Sequence, residues 1–320
     1  MLARWAEHWF TTLGVSAVTR VNYECYLRVH IVPRFGQMPI SMICRSEIKA
    51  WAVGLRERYM PATVTSIITV LSALLADAAR DGLIPANPCH YMRLGSRTTR
   101  PQPIATSEQI AAIASRMAPT EALLVITAAY TGMRWGELAG LHRRNVVLDP
   151  PARGAAAAMP HLRVDELEGA LHEVGGRLSI GTPKTVSSAR IVALPPFLTQ
   201  LLGEHMEHHA HPQVFTGRQG GLLRRGAFRT RCWLPALASD PDHEDPRRRE
   251  PICAGMTFHR LRHTHKTWMI EDGIPEIAQY VRLGHHMPGV AARYAHTTPV
   301  MWTQLLTALQ HRWETTVRTP

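Results

Sequence analysis

Apolar residues in the first ninety positions recur at intervals of three and four, the spacing of one face of an α-helix. The pattern predicts four helices packed as a bundle, with nearly all of these residues in its core. Their stripes are Leu2, Trp5, Trp9 and Leu13; Val18, Val21, Cys25 and Val29; Ile48, Trp51, Ala52, Leu55 and Tyr59; and Val64, Ile67, Ile68, Leu71, Leu74, Leu75 and Ala78.

Capping and breaking residues mark where these helices begin and end. Ser16 is an N-cap for the second helix, which should end near Pro33. Ser46 caps the third, and Pro61 suits the first turn of the fourth. The pair Asp81-Gly82 then ends the fourth helix.

A basic stretch rich in turn-forming residues follows the bundle, from Arg93 to Pro103. Such composition is typical of a linker between domains. We therefore expect a helical domain over residues 1–94, a basic linker over 95–105 and a second domain over 106–320.

The second domain mixes helical and strand patterns. Thr106-Ser107-Glu108 begins a helix, an apolar helix runs from about Glu121 to Tyr130, and Gly132 ends it before another begins near Arg134. Strand patterns are followed by helices from Pro196 onward, with an exposed or disordered loop from Asp240 to Pro251. The strands are Asn145 to Leu148, about His161 to Ile180 with a bend or hairpin at Gly175-Gly176, and Ala189 to Leu194. The predicted fold class is mainly α with a small antiparallel β-sheet, in two domains.

The composition also predicts a polyanionic binding partner. The formal net charge is +11 and the pI is about 10.0, values that favour binding to nucleic acid. We expect the DNA contacts to come from basic residues on the polar helix faces and in the linker. They are Arg20, Arg28, Arg45, Lys49, Arg56, Arg58, Arg97 and Arg100.

The cysteine content indicates the cellular compartment. The five cysteines are an odd number without a C-x-x-C pair, which argues against a disulfide framework or a zinc ribbon and favours a reducing cytoplasm. No signal peptide is evident. The longest apolar run, Ala122 to Tyr130, is far shorter than the ~20 residues that span a bilayer. We expect a cytoplasmic, nucleoid-associated protein of bacterial or phage type, with no membrane partner.

A spaced set of side chains near the carboxyl terminus, with one arginine upstream, is suited to cutting a phosphodiester. These residues are Arg134, the pair His259 and Arg262 three positions apart, His285, and Tyr294 nine positions later. Arginines grip phosphate oxygens with planar, bidentate geometry and stabilise charge in the transition state. Tyrosine, with a pKa of about 10, becomes a useful nucleophile when nearby cations favour its phenolate.

This order and spacing resembles the tyrosine recombinase (phage integrase) family over nearly the whole chain. The segments that carry the resemblance are Ala129 to Leu138, Val214 to Gly217, Thr257 to His265, Leu283-Gly284-His285 and Tyr294 in Arg293-Tyr294-Ala295-His296. Pro85-Ala86-Asn87-Pro88 is similar to the end of the family's helical core-binding domain.

The resemblance implies a C-shaped clamp in which a SAM-like core-binding domain precedes a catalytic domain. It implies site-specific strand exchange on double-stranded DNA through a 3′-phosphotyrosyl intermediate, without a metal or nucleotide cofactor, in the integration or excision of a mobile element or phage. Tyr294 would be the nucleophile, and Arg134, Arg262, His259 and His285 would hold the phosphate. Lys184, on a predicted hairpin turn, would be the general acid.

Other family features are also expected. Glu137 is interpreted as orienting Arg134 or a histidine rather than as a base. The resemblance implies a homotetramer on paired sites, and an accessory directionality factor stays open. Two interpretations of the terminal helix, residues 301–313, also stay open. Its stripe Trp302, Leu305, Leu306, Leu309 and Trp313 packs on its own domain or docks into a neighbouring protomer.

The chain also departs from the family pattern. Arg260 stands where many members carry Asp, and His286 stands where many carry a small polar or basic residue. The chain begins almost at the first core-binding helix. This start suggests a compact recombinase without an evident amino-terminal arm-binding module, or a truncated beginning.

Three alternative functions stay open. The stretch Glu204 to His211 is rich in histidine, and His205 with His208 or His209 has helical spacing that could hold zinc. No partner set of ligands accompanies it, and no Asp/Glu cluster suggests a two-metal nuclease. A catalytically silent DNA-binding regulator and a type IB topoisomerase-like enzyme are the other two.

Overall fold

The computed structural model describes residues 1–92, 103–150, 159–245, 248–286 and 296–318. The chain divides into two compact units: the first is Met1–Pro101 with Val174–Gly176, and the second is Gln102–Glu173 with Arg177–Pro320. Most of the predicted linker lies outside the described residues, so its bounds stay a prediction.

Over residues 1–92 the first unit is built of helices joined by short turns. Its helices are α1 (Leu2–Thr12), α2 (Ala17–Tyr26), α3 (Val32–Phe35), α4 (Arg45–Arg58) and α5 (Pro61–Arg80). Helices α1, α4 and α5 each bury an apolar face, whereas no residue of α2 is fully buried. Helix α5 lies at the centre, with eight buried residues from Val64 to Ala78. Trp9 of α1 packs on the same core and donates its indole N–H to Asp77 Oδ2 at 2.6 Å.

The predicted stripe of the second helix is wrong. Val18, Val21 and Val29 are about two-fifths to one-half exposed, and Cys25 is exposed as well. The segment instead buries the neighbouring stripe at Leu27 and Ile31. Both stripes have helical spacing, and packing against α1, α4 and α5 selects the larger side chains of the second.

The helical segment that begins at Ala17 ends at Phe35, close to Pro33 as predicted, but it passes through a π-helical turn, Leu27–Ile31, before α3. Proline lacks an N–H and its ring crowds the carbonyl four residues earlier, which a wider turn relieves. The same arrangement recurs at Arg229–Trp233, just before Pro235. Helix α4 begins at Arg45 after Cys44 rather than at a Ser46 cap.

The second unit is mostly helical. Its helices are α6 (Ser107–Ser115), α7 (Pro119–Thr131), α8 (Trp135–Ala139), α9 (Pro196–Glu207), α10 (Arg225–Phe228), α11 (Leu234–Leu237), α12 (Arg260–Glu271), α13 (Glu276–Leu283) and α14 (Pro299–Arg318). Thr106 and Gln109 form a capping box at the start of α6. Helix α7 is buried over nine consecutive residues and forms the axis of the core.

Two small sheets complete this unit. Strands β1 (Val146–Val147), β2 (His161–Val164) and β5 (Arg190–Ala193) form an antiparallel sheet in that order, with Leu162 opposite Val192. Strands β3 (Ala170–Val174) and β4 (Arg177–Gly181) form a second sheet. The predicted long strand from His161 to Ile180 is therefore three strands. The anticipated hairpin lies at Gly175-Gly176, where both glycines have positive φ.

Helix α14 packs on its own unit. Trp302, Leu305 and Leu309 are buried in the core of this unit, and the Trp313 ring stacks on Phe197 with centroids 4.4 Å apart. The first of the two interpretations of the terminal stripe is thus the arrangement found in this structure.

By length and hydropathy, α5 is the one helix in the described part of the chain that could cross a membrane. Its apolar residues, however, form the centre of the first unit's core. The predicted loop from Asp240 to Pro251 is made of exposed turns in its described residues, and Arg248 donates to Ser115 O at 3.2 Å.

Candidate active site

The carboxyl end of α7 organises the candidate site. The last carbonyls of a helix lack partners within it and carry partial negative charge. Here they accept from basic side chains: Ala129 O from His265 Nδ1 at 2.9 Å and Tyr130 O from Arg282 Nη2 at 2.9 Å. Gly132 O, just beyond the helix, accepts from Arg262 Nη1 at 2.7 Å. One helix end thus gathers three cationic or imidazole side chains.

Gly132 permits the sharp exit from α7 that this arrangement needs. Its φ is +65°, in the left-handed region, and a Cβ there would lie 2.7 Å from Leu283 Cδ2 and 2.8 Å from His265 Cδ2. Any side chain would therefore clash as well as strain the backbone. The tight turn places Arg134, at the N-cap of α8, two residues from the carbonyl that Arg262 binds.

Arg134 belongs to a cluster around a buried carboxylate. Its Nη1 donates to Glu137 Oε1 at 2.8 Å and to Ser188 Oγ at 3.1 Å. Arg190 of β5 holds the same carboxylate, with Nη2 to Glu137 Oε2 at 2.9 Å. Burial opposes ionisation of Glu137, but Arg190 and the bonds from Arg134 hold its pKa below the usual range.

Arg262 joins the cluster to the carboxyl end of α13. It is only 5% exposed, and its Nη2 donates to Leu283 O and, at 2.8 Å, to His285 Nε2. Because arginine can only donate, Nε2 of His285 must accept, so the neutral ring carries its proton on Nδ1. That N–H is the one His285 has left for a ligand.

The histidines at this site are kept neutral. Desolvation and the charge of Arg262 lower the pKa of His285 to about 4. Desolvation, His263 and Arg262 also lower the pKa of His259, although the residue as a whole remains exposed. Desolvation and Arg134 lower the pKa of Arg262 to about 9, which leaves it charged at neutral pH. The cluster formed by Glu137 and the three arginines therefore carries three positive charges and one negative charge. The arginines are Arg134, Arg190 and Arg262.

Lys184 lies on the exposed segment between β4 and β5, within a turn that ends at Ser188. Ser188 is fully buried and contacts Arg134. The end of this segment packs on Gly284, where φ is +61° and a Cβ would lie 2.8 Å from Ser187 O. The segment carrying Lys184 is thus attached to both Arg134 and the residue before His285.

Sequence reasoning missed three buried residues that hold the site together. Arg282 is fully buried and bonds to Tyr130 O, Ala193 O and, through Nε, to His265 Nε2 at 3.3 Å. Arg190 donates its Nε to Arg282 O at 2.8 Å. His265 is fully buried beside Arg282, and desolvation lowers its pKa well below the ordinary value. A charged residue in the short apolar strand at Arg190 was the one available signal.

The predicted nucleophile and the predicted DNA-contact residues differ in whether the structure describes them and in how exposed they are. Tyr294, Arg97 and Arg100 lie outside the described residues. Arg28, Lys49, Arg56 and Arg58 are exposed. Arg20 donates to Phe10 O and Leu13 O, and Arg45 donates to His90 O and Tyr91 O, so part of each guanidinium already binds the protein. Their predicted DNA contacts stay predictions.

The histidine-rich stretch has an ordinary structural arrangement. His205 Nε2 lies 2.8 Å from Val214 O and 3.3 Å from His209 Nε2 at the end of α9. Across the described residues, no group of three or more His, Cys, Asp or Glu side chains is placed to hold a metal ion.

Known proteins of similar sequence align with nearly the whole chain. No protein-family model matches it. It is 26% identical over 298 residues to a putative prophage phiRv2 integrase of Mycobacterium tuberculosis, covering 91% of this chain and 73% of that protein. It is 23% identical over 308 residues to a tyrosine recombinase XerC-like protein of Caldanaerobacter subterraneus, covering 91% and 77%.

Solved structures show the same fold. A Tn1549 transposon integrase in complex with a circular intermediate DNA matches with a TM-score of 0.76 and 19% identity, over 93% of this chain and 96% of that one. A lambda integrase tetramer bound to a Holliday junction matches with a TM-score of 0.60 and 19% identity, over 89% and 76%. The predicted fold class, mainly helical with small antiparallel sheets in two units, is confirmed.

Proposed function

We propose that this chain, a member of the tyrosine recombinase family, is a site-specific DNA recombinase that integrates or excises a phage or mobile element. It cuts and rejoins DNA strands through a covalent phosphotyrosyl intermediate, with Tyr294 as the nucleophile. The substrate is double-stranded DNA, so the protein acts inside the cell. Association with the nucleoid is part of the proposal.

The convergence of Arg134, Arg262 and His285 carries this proposal. Arg262 bonds directly to His285, and the backbone turn at Gly132 holds Arg134 beside them. The cluster has a surplus of positive charge and only one carboxylate, Glu137, which both Arg134 and Arg190 bind. A phosphodiester carries one negative charge and oxygens for bidentate bonding, so it complements this site.

The chemistry is an in-line phosphoryl transfer. The Tyr294 oxygen forms a bond to the scissile phosphorus as the bond to the 5′-oxygen breaks, and the departing oxygen takes the electron pair. His259, neutral because of its lowered pKa, holds the phosphate through its one N–H and accepts the phenol proton at its other ring nitrogen. His285 donates Nδ1–H to a phosphate oxygen, and Lys184 supplies the proton that the 5′-oxygen needs. The 3′-phosphotyrosine retains the bond energy, so a partner strand's 5′-hydroxyl reverses the step.

Assembly of the active protein is a further part of the proposal. A tetramer on paired sites would bring four such centres together. Because Trp302, Leu305 and Leu309 of α14 are buried within their own unit, contact through residues 301–313 would use the outer face of the helix or require it to move. An accessory factor that sets direction is proposed only by resemblance.

Covalent capture tests the proposed function. Nicked duplexes tiled from the DNA flanking the gene would be mixed with the protein in EDTA, and a denaturant-stable protein–DNA band would be sought. The wild type should form the band on one duplex. Tyr294→Phe should form none, yet bind that duplex within about tenfold of wild type, roughly 1.4 kcal/mol.

Tyr280→Phe is the matched control. Tyr280 lies on α13 near the site, with its ring 6.3 Å from that of His285, and it should leave the band intact. Specific binding without a band on any duplex would favour the catalytically silent regulator. A band together with relaxation but no strand exchange would favour the topoisomerase-like enzyme.

A further inference from the structure

The turn that carries Lys184 has little packing to hold it. Lys184, Thr185, Val186 and Ser187 are all exposed, and Val186 reaches 95% exposure. Ser188 is the first fully buried residue after them. A residue that must deliver a proton to one oxygen cannot depend on so loose a segment without other restraints.

Hydroxyl groups provide that restraint. Arg134 Nη1 donates to Ser188 Oγ at 3.1 Å, and Ser188 Oγ lies 2.8 Å from Thr185 Oγ1. Thr185 Oγ1 lies 3.1 Å from Ser187 Oγ, which donates to Gly284 O at 3.5 Å. These five residues form a hydroxyl network, from the arginine at one side of the site to the residue before His285 at the other.

The ends of the hydroxyl network fix the direction of every bond in it. Arginine only donates and a carbonyl only accepts. If all contacts are made, Ser188 must donate to Thr185, and Thr185 must donate to Ser187. Each hydroxyl then uses its single hydrogen once, an arrangement in which successive bonds strengthen one another.

The backbone reinforces the same turn at Ser188. Ser188 N donates to Thr185 O at 2.9 Å, and Arg190 Nη1 donates to Ser188 O at 2.7 Å. Thr185 is therefore held through both its carbonyl and its hydroxyl, and Lys184 is one peptide bond away. Ser188 therefore contacts Thr185 on one side and the arginines Arg134 and Arg190 on the other.

From this geometry we infer that Ser188 is a positioning residue, which couples Lys184 to the phosphate-binding arginine Arg134 through Thr185. It touches neither phosphate nor leaving group. The inference rests on the proposed function, because Lys184 must be the general acid for its position to matter. When Arg134 grips the phosphate, the hydroxyl network places Lys184 at the 5′-oxygen.

The leaving group offers a test specific to this role. In a duplex with sulfur in place of the scissile 5′-oxygen, the phosphorus–sulfur bond breaks and sulfur takes the electron pair. A thiol has a pKa of about 8.5, so the thiolate departs without a proton. Loss of a general acid, or of its positioning, should then have little effect. Loss of phosphate binding should have the same effect on both duplexes.

The experiment measures the rate of covalent complex formation on oxygen and sulfur duplexes. Lys184→Ala should slow the oxygen reaction by about 10²- to 10⁴-fold, the usual contribution of a general acid. Ser188→Ala should slow it by about 10- to 100-fold, as misplacement of a catalytic group does. Both should approach wild type on the sulfur duplex, and Thr182→Ala, outside the hydroxyl network, should match wild type on both.

Thr185→Val provides a second route if Ser188→Ala folds poorly. It keeps the size of the side chain and removes the hydroxyl, and it should show the same defect and the same sulfur rescue. The double variant Ser188→Ala/Thr185→Val should be no slower than the slower single variant, because both changes break one connection.

The outcomes separate the inference from the proposed function. Wild type that forms no complex on any duplex would overturn both. An oxygen-duplex rate for Ser188→Ala equal to wild type would overturn the positioning role alone. A defect that the sulfur duplex does not rescue would also overturn it, since Ser188 would then act on Arg134 rather than on Lys184.

Discussion

At the scale of single residues, the site depends on keeping imidazoles neutral among arginines. His265 and His285 both accept a hydrogen bond from an arginine, which only an unprotonated nitrogen can do. Burial and the nearby positive charge make protonation costly for each ring. The same charges that suit the site to phosphate thus make it sensitive to acid.

This sensitivity predicts a pH-dependent stability. The folded pKa of His265 lies well below its ordinary value of 6.5. The unfolded chain therefore binds a proton first as pH falls, and stability is lost below pH 6.5, by at most about 1.4 kcal/mol per pH unit for one group. In His265→Gln the free energy of unfolding should fall less steeply between pH 7.5 and pH 5.

Urea unfolding at several pH values measures these slopes. The exposed residue His208 provides the control, and His208→Gln should keep the wild-type slope. A slope for His265→Gln as steep as that of wild type would contradict the assignment of a neutral, buried imidazole.

Sequence patterns suggested the side chains of the candidate site but not the contacts that hold them. Local patterns pointed to Arg134, Lys184, His259, Arg262 and His285, because these residues occur in recognisable sequence segments. The contacts of Ser188 with Arg134, of Arg190 with Glu137 and of Arg282 with Tyr130 could not be predicted, because the two residues of each pair lie more than fifty positions apart in the sequence. Long-range pairing of this kind has no periodic signature.

At the scale of secondary structure, α8 and β5 are joined through one buried carboxylate. Glu137 is only 3% exposed, and it ion-pairs with Arg134 and Arg190. Its pKa is held below the usual range against the effect of burial. This contribution to stability is therefore present above the unfolded pKa of about 4.3 and lost as pH falls through the lower folded value.

Glu137→Gln should accordingly destabilise the protein at neutral pH by about 3–5 kcal/mol, because the buried charge of Arg190 loses its partner. The matched control is Glu168→Gln, which removes an exposed pair with Arg144 and should cost less than about 1 kcal/mol. Equal losses in chemical denaturation would show that Glu137 is not the link described here. When the free energy of unfolding is plotted against pH, the curves for Glu137→Gln and wild type should approach each other in acid.

Helix α14 gives a second prediction at this scale. Leu305 is fully buried against its own unit, so Leu305→Ala should cost about 2–5 kcal/mol. This loss in the free energy of unfolding should be the same at all protein concentrations. A loss that grows on dilution would mean that the helix packs on a second copy.

The second helix shows where periodicity stops predicting a fold. Val18, Val21 and Val29 repeat at helical spacing as well as Leu27 and Ile31 do, yet the first set is exposed and the second is buried. Spacing defines a stripe but does not say which stripe meets the rest of the bundle. The end of α7 at Gly132 and a bend or hairpin at Gly175-Gly176 were predictable, because their signals are local, and all three glycines have positive φ.

At the scale of the whole molecule, the net charge of +11 favours the proposed binding to DNA. Each phosphate that a basic side chain neutralises releases counterions, so affinity depends strongly on salt. With 6–10 phosphate contacts, affinity should fall by about 10³- to 10⁵-fold between 50 and 200 mM salt. Titrations of a labelled attachment duplex at several salt concentrations measure this slope.

Variants that remove single charges test whether exposed basic residues of the first unit contact DNA phosphates. Arg28→Gln and Lys49→Gln, at exposed positions, should each reduce the logarithmic slope by about 0.9 if each contacts one phosphate. Glu57→Gln, which removes a negative charge from the exposed surface of α4, should not reduce it. Slopes unchanged in both basic variants would contradict the predicted DNA-binding face.

The most direct test of the account identifies the atom that joins protein to DNA. The covalent complex from a nicked duplex would be digested with protease and nuclease, and mass spectrometry would locate the nucleotide on the peptide. We predict a 3′-phosphate on Tyr294 and a free 5′-hydroxyl on the released strand. A nucleotide on any other residue, or a 5′-phosphate linkage, would contradict the assignment of this chain's chemistry.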